Sequence, residues 1–161
     1  MIEQIYTYFS IPTIYMWLNI GVLPFWFMLI FFTNSKICRV FVTSVFPIFI
    51  FASINLYLIY EIYKTGFNFL NIFNLYLGFD ELADLFSETN YIILFWIHFL
   101  SINLFCGCWI VRDHIKISMP KLLAFFPLIL TYFIGPVGLV LYWLIRVFHA
   151  TPTDSTENTM S

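Results

Sequence analysis

Four long apolar runs constrain this chain more than any other feature: residues 13–33, 40–60, 91–111 and 122–148. None alternates apolar with polar positions as a half-buried strand would. Coiled as a helix, a 21-residue run spans about 31 Å, which matches a hydrocarbon core of roughly 30 Å. Only helices and closed barrels satisfy their backbone groups in lipid, so runs of this kind are helices. Composition agrees. Of the 161 residues, 61% are hydrophobic and 10% are charged, and the mean hydropathy is +0.90. So few charges cannot solvate a folded surface, which excludes a free cytosolic enzyme. Seven Lys+Arg in a chain of net charge −2 leave no basic footprint for nucleic acid.

Polar residues punctuate the runs. Asn34-Ser35-Lys36 separates the first from the second, and Arg112-Asp113-His114 closes the third. The fourth run is long enough to tilt, or to kink at Gly135-Pro136. The predicted fold is all-α and polytopic: four transmembrane helices in one domain over residues 1–148, then a polar tail over 149–161. Between spans two and three, residues 79–86 place apolar side chains at i, i+3, i+4 and i+7 with acids opposite. That spacing predicts a short amphipathic surface helix, packed as a lid over the bundle. Lys36, Arg39, Arg112, Lys116 and Lys121 fall in loops one and three, whereas Lys64 and Arg146 fall on the other side of a four-span chain. The positive-inside rule then puts both termini on the non-cytoplasmic face. Glu3 stands where a secretory signal would carry Lys or Arg, so no cleaved signal is expected; without a transit peptide either, the expected location is a bacterial inner membrane and not a plastid.

Intramembrane polar groups are costly and therefore mark candidate sites. His98 is the foremost, eight residues into the third run; it can exchange a proton near neutral pH, or clasp a neighbouring helix through Asn19 or Asn55. Ser101, Phe105 and Arg112 share its helix face by spacing, and Asn103 points elsewhere. His98 is expected to face the bundle interior, with Trp96, Tyr132 and the Gly135-Pro136 break forming a pocket. Pro136 removes the donor for the Tyr132 carbonyl, which then needs another partner. Arg112-Asp113 sits at the membrane edge, suited to a polar head group, to local pairing or to anchoring. Asn55, Tyr57 and Glu61 would line the outer mouth of a cavity. The three cysteines, Cys38, Cys106 and Cys108, lack zinc spacing and are odd in number, so they read as inert thiols. His98, His114 and His149 lie at different depths and form no metal set. No cofactor motif is present either.

The ordered series Trp96-Ile97-His98-Phe99-Leu100, Asn103-Leu104-Phe105-Cys106-Gly107, Trp109-Ile110-Val111-Arg112-Asp113 and Thr131-Tyr132-Phe133-Ile134-Gly135-Pro136-Val137-Gly138-Leu139 resembles the neoxanthin synthase family, also called abscisic-acid-deficient-four-like. Val22-Leu23-Pro24-Phe25-Trp26 and residues 79–86 fit the same pattern. The resemblance implies a four-helix membrane protein and, in plants, conversion of the epoxy-carotenoid violaxanthin to allenic neoxanthin. Asn103 stands where the family pattern leads one to expect an acid, and an amide cannot serve as a carboxylate base. On this resemblance the chain is an isomerase of a carotenoid or other isoprenoid lipid. His98, Arg112, Asp113 and Tyr132 would then be catalytic, and Trp96, Asn103, Asn55, Tyr57 and Glu61 would bind ligand. The alternative is a non-catalytic lipid- or carotenoid-binding protein, or an assembly factor. The expected partners are a membrane lipid or isoprenoid ligand, and a second copy or another membrane protein.

Overall fold

The computed structural model describes residues 10–64 and 76–149, with residues 66, 68, 70 and 73 between them. The expected polar tail, apart from His149, lies outside the described residues. Among the described residues the protein is all-helical: α1 (Ile11–Phe31), a π-helical turn (Cys38–Val42), α2 (Phe46–Lys64), α3 (Phe79–Ser87), α4 (Thr89–Lys116), α5 (Lys121–Phe133) and α6 (Gly135–His149). Three of these, α1, α2 and α4, are long and apolar enough to cross a membrane.

Helix α4 is the axis of the bundle. Its 28 residues span about 42 Å, and α1, α2, α5 and α6 all pack on it. Tyr15 meets Trp96, and a Cβ on Gly107 would fall 2.7 Å from the Trp26 ring. Successive contacts along α1 therefore match successive positions along α4, and the two helices run parallel. Two local signals start α2: the Ser44 hydroxyl accepts from Phe46 N at 3.1 Å, and Pro47 has its φ pre-set for a first turn. The amphipathic segment forms α3 as expected. Leu85 is buried, and Phe86 packs edge-on against Tyr91 and Phe95 at the start of α4.

The fourth run departs from expectation. It is two short helices, α5 and α6, folded against each other. A continuous helix would separate residues 131 and 138 by about 10 Å. Instead, a Cβ on Gly138 would lie 2.6 Å from Thr131 Cα, so the chain has reversed. Pro136 explains the break, because it cannot donate to the Tyr132 carbonyl and pre-sets the first turn of a new helix. The Ile134 carbonyl accepts from Val137 and Gly138, both at 3.1 Å, which starts that helix. Gly138 supplies the bare backbone that close approach requires. At 13 and 15 residues the two helices reach only about 20 and 22 Å, short of a hydrocarbon core.

The reversal changes the placement of the chain ends. Arg146, near the end of α6, contacts Asp113, near the end of α4. Ser10 begins α1 at the end of the bundle where α4 starts. The two ends of the described chain therefore lie at opposite ends of the bundle, not on one shared side. Six of the seven cations (Lys36, Arg39, Arg112, Lys116, Lys121 and Arg146) gather at the end where α4 finishes, and Lys64 lies at the other.

Candidate functional site

The polar groups of the bundle fall into separate places. Near the middle of α4, Asn103 is 3% exposed, and its amide nitrogen lies 3.4 Å from the Tyr132 carbonyl. The carbonyl that Pro136 leaves without a helical donor thus finds one across the bundle. A Cβ on Gly135 would strike the Asn103 side-chain oxygen, so the turn seats directly on this amide. The Tyr132 ring packs edge-on to Trp26 at 5.4 Å.

Toward the end of α4, the fully buried Tyr142 donates its hydroxyl proton to Asp113 Oδ2 at 2.8 Å. Arg146 Nε lies 2.7 Å from the same oxygen. Trp109 packs edge-on against Tyr142 at 5.7 Å. Tyr142 and Arg146 lie four residues apart and so present one face of α6 to α4. Asp113 therefore serves the seam between α4 and α6. Arg112, one residue before it, is exposed on a different face.

His98 is not in the interior. Its side chain is exposed, as are Phe105, Trp109 and Arg112 farther along the helix. The buried face of α4 is instead marked by Ile93, Ile97, Leu100, Leu104, Gly107 and Val111. An exposed His98 does not join Trp96, Tyr132 and Gly135-Pro136 in the bundle interior as expected. Trp96 stacks on Phe99 at 5.4 Å and meets Tyr15, with its indole nitrogen buried and lacking a hydrogen-bond partner. Glu61 pairs with Lys64 at 2.8 Å on the surface. Asn55 is half-buried, and Tyr57, also expected at a cavity mouth, lines a cavity.

That cavity is a groove of about 510 Å³ between α1 and α2. Ile14, Leu18, Gly21 and Phe25 form one wall, Ile50, Phe51 and Ile54 the other. Trp17, Ser53 and Tyr57 bring the polar side-chain atoms to its lining, and the Ser53 hydroxyl is already donated to the Phe49 carbonyl at 2.9 Å. Along α1 the groove extends about 16 Å from Ile14 to Phe25. Sequence reasoning missed Gly21 and Trp17 here, as it missed Tyr142 and Arg146 at the seam. The i, i+4 pairing of Tyr142 with Arg146 was a signal that could have found the latter.

Among the described residues no group of three or more His, Cys, Asp or Glu could hold a metal ion. Cys38 is buried in the π-helical turn, where burial pushes its thiol up to about 11. Cys108, also buried, points its sulfur at the Val42 carbonyl, 3.3 Å away. Both are buried, packed thiols, and burial disfavours the thiolate that would act as a nucleophile.

An α-helical bundle with three membrane-length helices, an apolar lateral groove and a short hairpin docked on its axis defines a polytopic membrane protein. The family model described as ABA4-like (ABA DEFICIENT 4-like) matches residues 13–142, and the chain belongs to that family. The match includes the whole groove and the hairpin as far as Tyr142. No curated protein and no solved structure matches the chain.

Proposed function

We propose that this protein binds a long apolar isoprenoid, of the carotenoid class, in the groove between α1 and α2. The groove itself carries the reading: an elongated, almost wholly apolar cleft in a chain related to neoxanthin synthases. Such a cleft recognises a hydrocarbon chain by shape and burial, with a few polar groups fixing its ends. In this arrangement three helices cross the membrane, the α5–α6 hairpin enters and leaves on one side, and the cation-rich end faces the cytoplasm. The groups available for proton transfer are dispersed: His98 faces outward, Asp113 is held by Tyr142 and Arg146, and Tyr132 abuts Trp26. General acid–base work requires its groups within hydrogen-bond reach of the reacting atoms. The geometry therefore favours binding over isomerisation.

A second reading, a carotenoid or isoprenoid isomerase, draws on the family relation. One experiment separates the two. The full chain is produced in carotenoid-making cells and purified, and both the bound pigment and the cellular pigment profile are analysed. Binding gives a co-purifying polyene, chemically unchanged, and a Gly21→Phe variant that folds but retains at least tenfold less of it. A Gly21→Phe protein that retains as much as the parent overturns the groove assignment. A new pigment isomer, lost in a folded His98→Gln protein, establishes catalysis.

A further inference from the structure

At the cation-rich end, a cavity of about 210 Å³ opens between the end of α1 and the α4–α5 connection, lined by Asn34, His114, Ile115, Ser118, Met119 and Lys121. Its lining is unusually polar for this protein. His114 is 1% exposed; the Ile110 and Val111 carbonyls of its own helix lie close to the ring, but its Nδ1 makes no well-aligned hydrogen bond to either. Buried polar atoms are almost always satisfied, and His114, which carries this unsatisfied nitrogen, is one of the residues that line the cavity. Lys121 opens α5, whose first N–H groups lack helical acceptors and give that end a partial positive charge. Ser118, also in the lining, adopts a left-handed conformation at φ 53°, where glycine would be more comfortable.

We propose that this cavity is an oxyanion site that takes a phosphate group. Lys121 supplies the charge, and the Asn34 amide, the Ser118 hydroxyl and the His114 ring supply donors, with the α5 N-terminus behind them. Asp113, the acid nearest in sequence, is engaged by Arg146 and Tyr142 on the seam with α6. Among the described residues, every other Asp and Glu lies in α2, in α3 or between α3 and α4, toward the far end of the bundle. The phosphate is either that of a lipid head group in the adjacent leaflet or a free anion, since both present the same oxygens.

Native mass spectrometry of the full chain, released from detergent with either inorganic phosphate or phosphatidylglycerol added, tests the proposal and separates the two sources. The parent protein retains one equivalent of at least one probe, and which probe it retains names the source. Lys121→Met and Asn34→Ala, both at exposed positions, weaken that retention about tenfold, and Lys36→Met, a cation outside the lining, does not. Retention of neither probe overturns the proposal. So does retention that falls equally in Lys121→Met and Lys36→Met, which would show a diffuse surface charge and no built site.

Discussion

Where the hairpin meets its neighbours, glycine removes space; in the groove between α1 and α2, glycine leaves it open. A Cβ on Gly135 or Gly138 would run into Asn103 or into the Thr131 backbone, whereas a Cβ on Gly21 would meet nothing within 4 Å. The hairpin region is also where buried polar groups are paired, through Asn103 with the Tyr132 carbonyl and Asp113 with Tyr142 and Arg146. The groove has almost none. One residue type thus serves two purposes. Contact with backbone fixes one half of the bundle, and open space leaves the other half accessible from the lipid.

The sharpest way to break this comparison is to ask whether the hairpin reverses at all. In a background free of native cysteines, Phe148→Cys is expected to react with an impermeant thiol reagent from the same membrane face as Lys36→Cys, and Glu61→Cys from the opposite face. Labelling of Phe148→Cys from the Glu61 side would restore a single fourth span. The next largest effect is expected of Gly138→Leu, which drives a branched side chain into the Thr131 backbone and costs about 3 kcal/mol, the upper end for overpacking. It should appear as a steep loss of folded yield and a lowered unfolding midpoint in detergent. Asn103→Leu leaves the Tyr132 carbonyl buried without its donor and costs about 1–3 kcal/mol by the same measurement. The smallest change is expected at Gly21→Ala, where the open space accepts a methyl and the helix gains about 1 kcal/mol from the better former. If Gly21→Ala destabilises as much as Gly138→Leu, the two regions do not differ as described.

The helices of membrane length were legible from the apolar runs, because length and hydropathy act on each run separately. Helix α3 was legible from its period. The reversal at Gly135-Pro136 was not, since 27 apolar residues serve a tilted span and a folded pair of half-length helices equally well. Only Gly138, three residues after the break, hinted at a close backbone approach. The need of the Tyr132 carbonyl for a donor was readable from Pro136, but not that the donor would be Asn103. The facing of α4 was misread for a related reason. Apolar residues surround that helix, so hydropathy fixes no phase, and a lone histidine is a poor guide to the inside. Asp113 and Arg146 were assigned to opposite ends because their placement depended on the number of crossings. One error in topology thus concealed the principal ion pair of the bundle.

The returning hairpin also bears on how the chain is made. A fourth crossing would have to carry Arg146 and His149 through the hydrocarbon core after Lys121 had been left behind. Moving an arginine to the centre of a bilayer costs roughly 2.5–3.5 kcal/mol even on the scale derived from translocon insertion. A hairpin avoids that transfer. With the cation-rich end on the side of synthesis, as proposed above, its two half-length helices would enter from that side once α4 is in place, meeting Asn103 at the turn and Asp113 at the guanidinium. In the topology proposed above, insertion of residues 121–149 then becomes a docking event guided by two polar contacts, and Arg146 stays on the side where Lys121 was left.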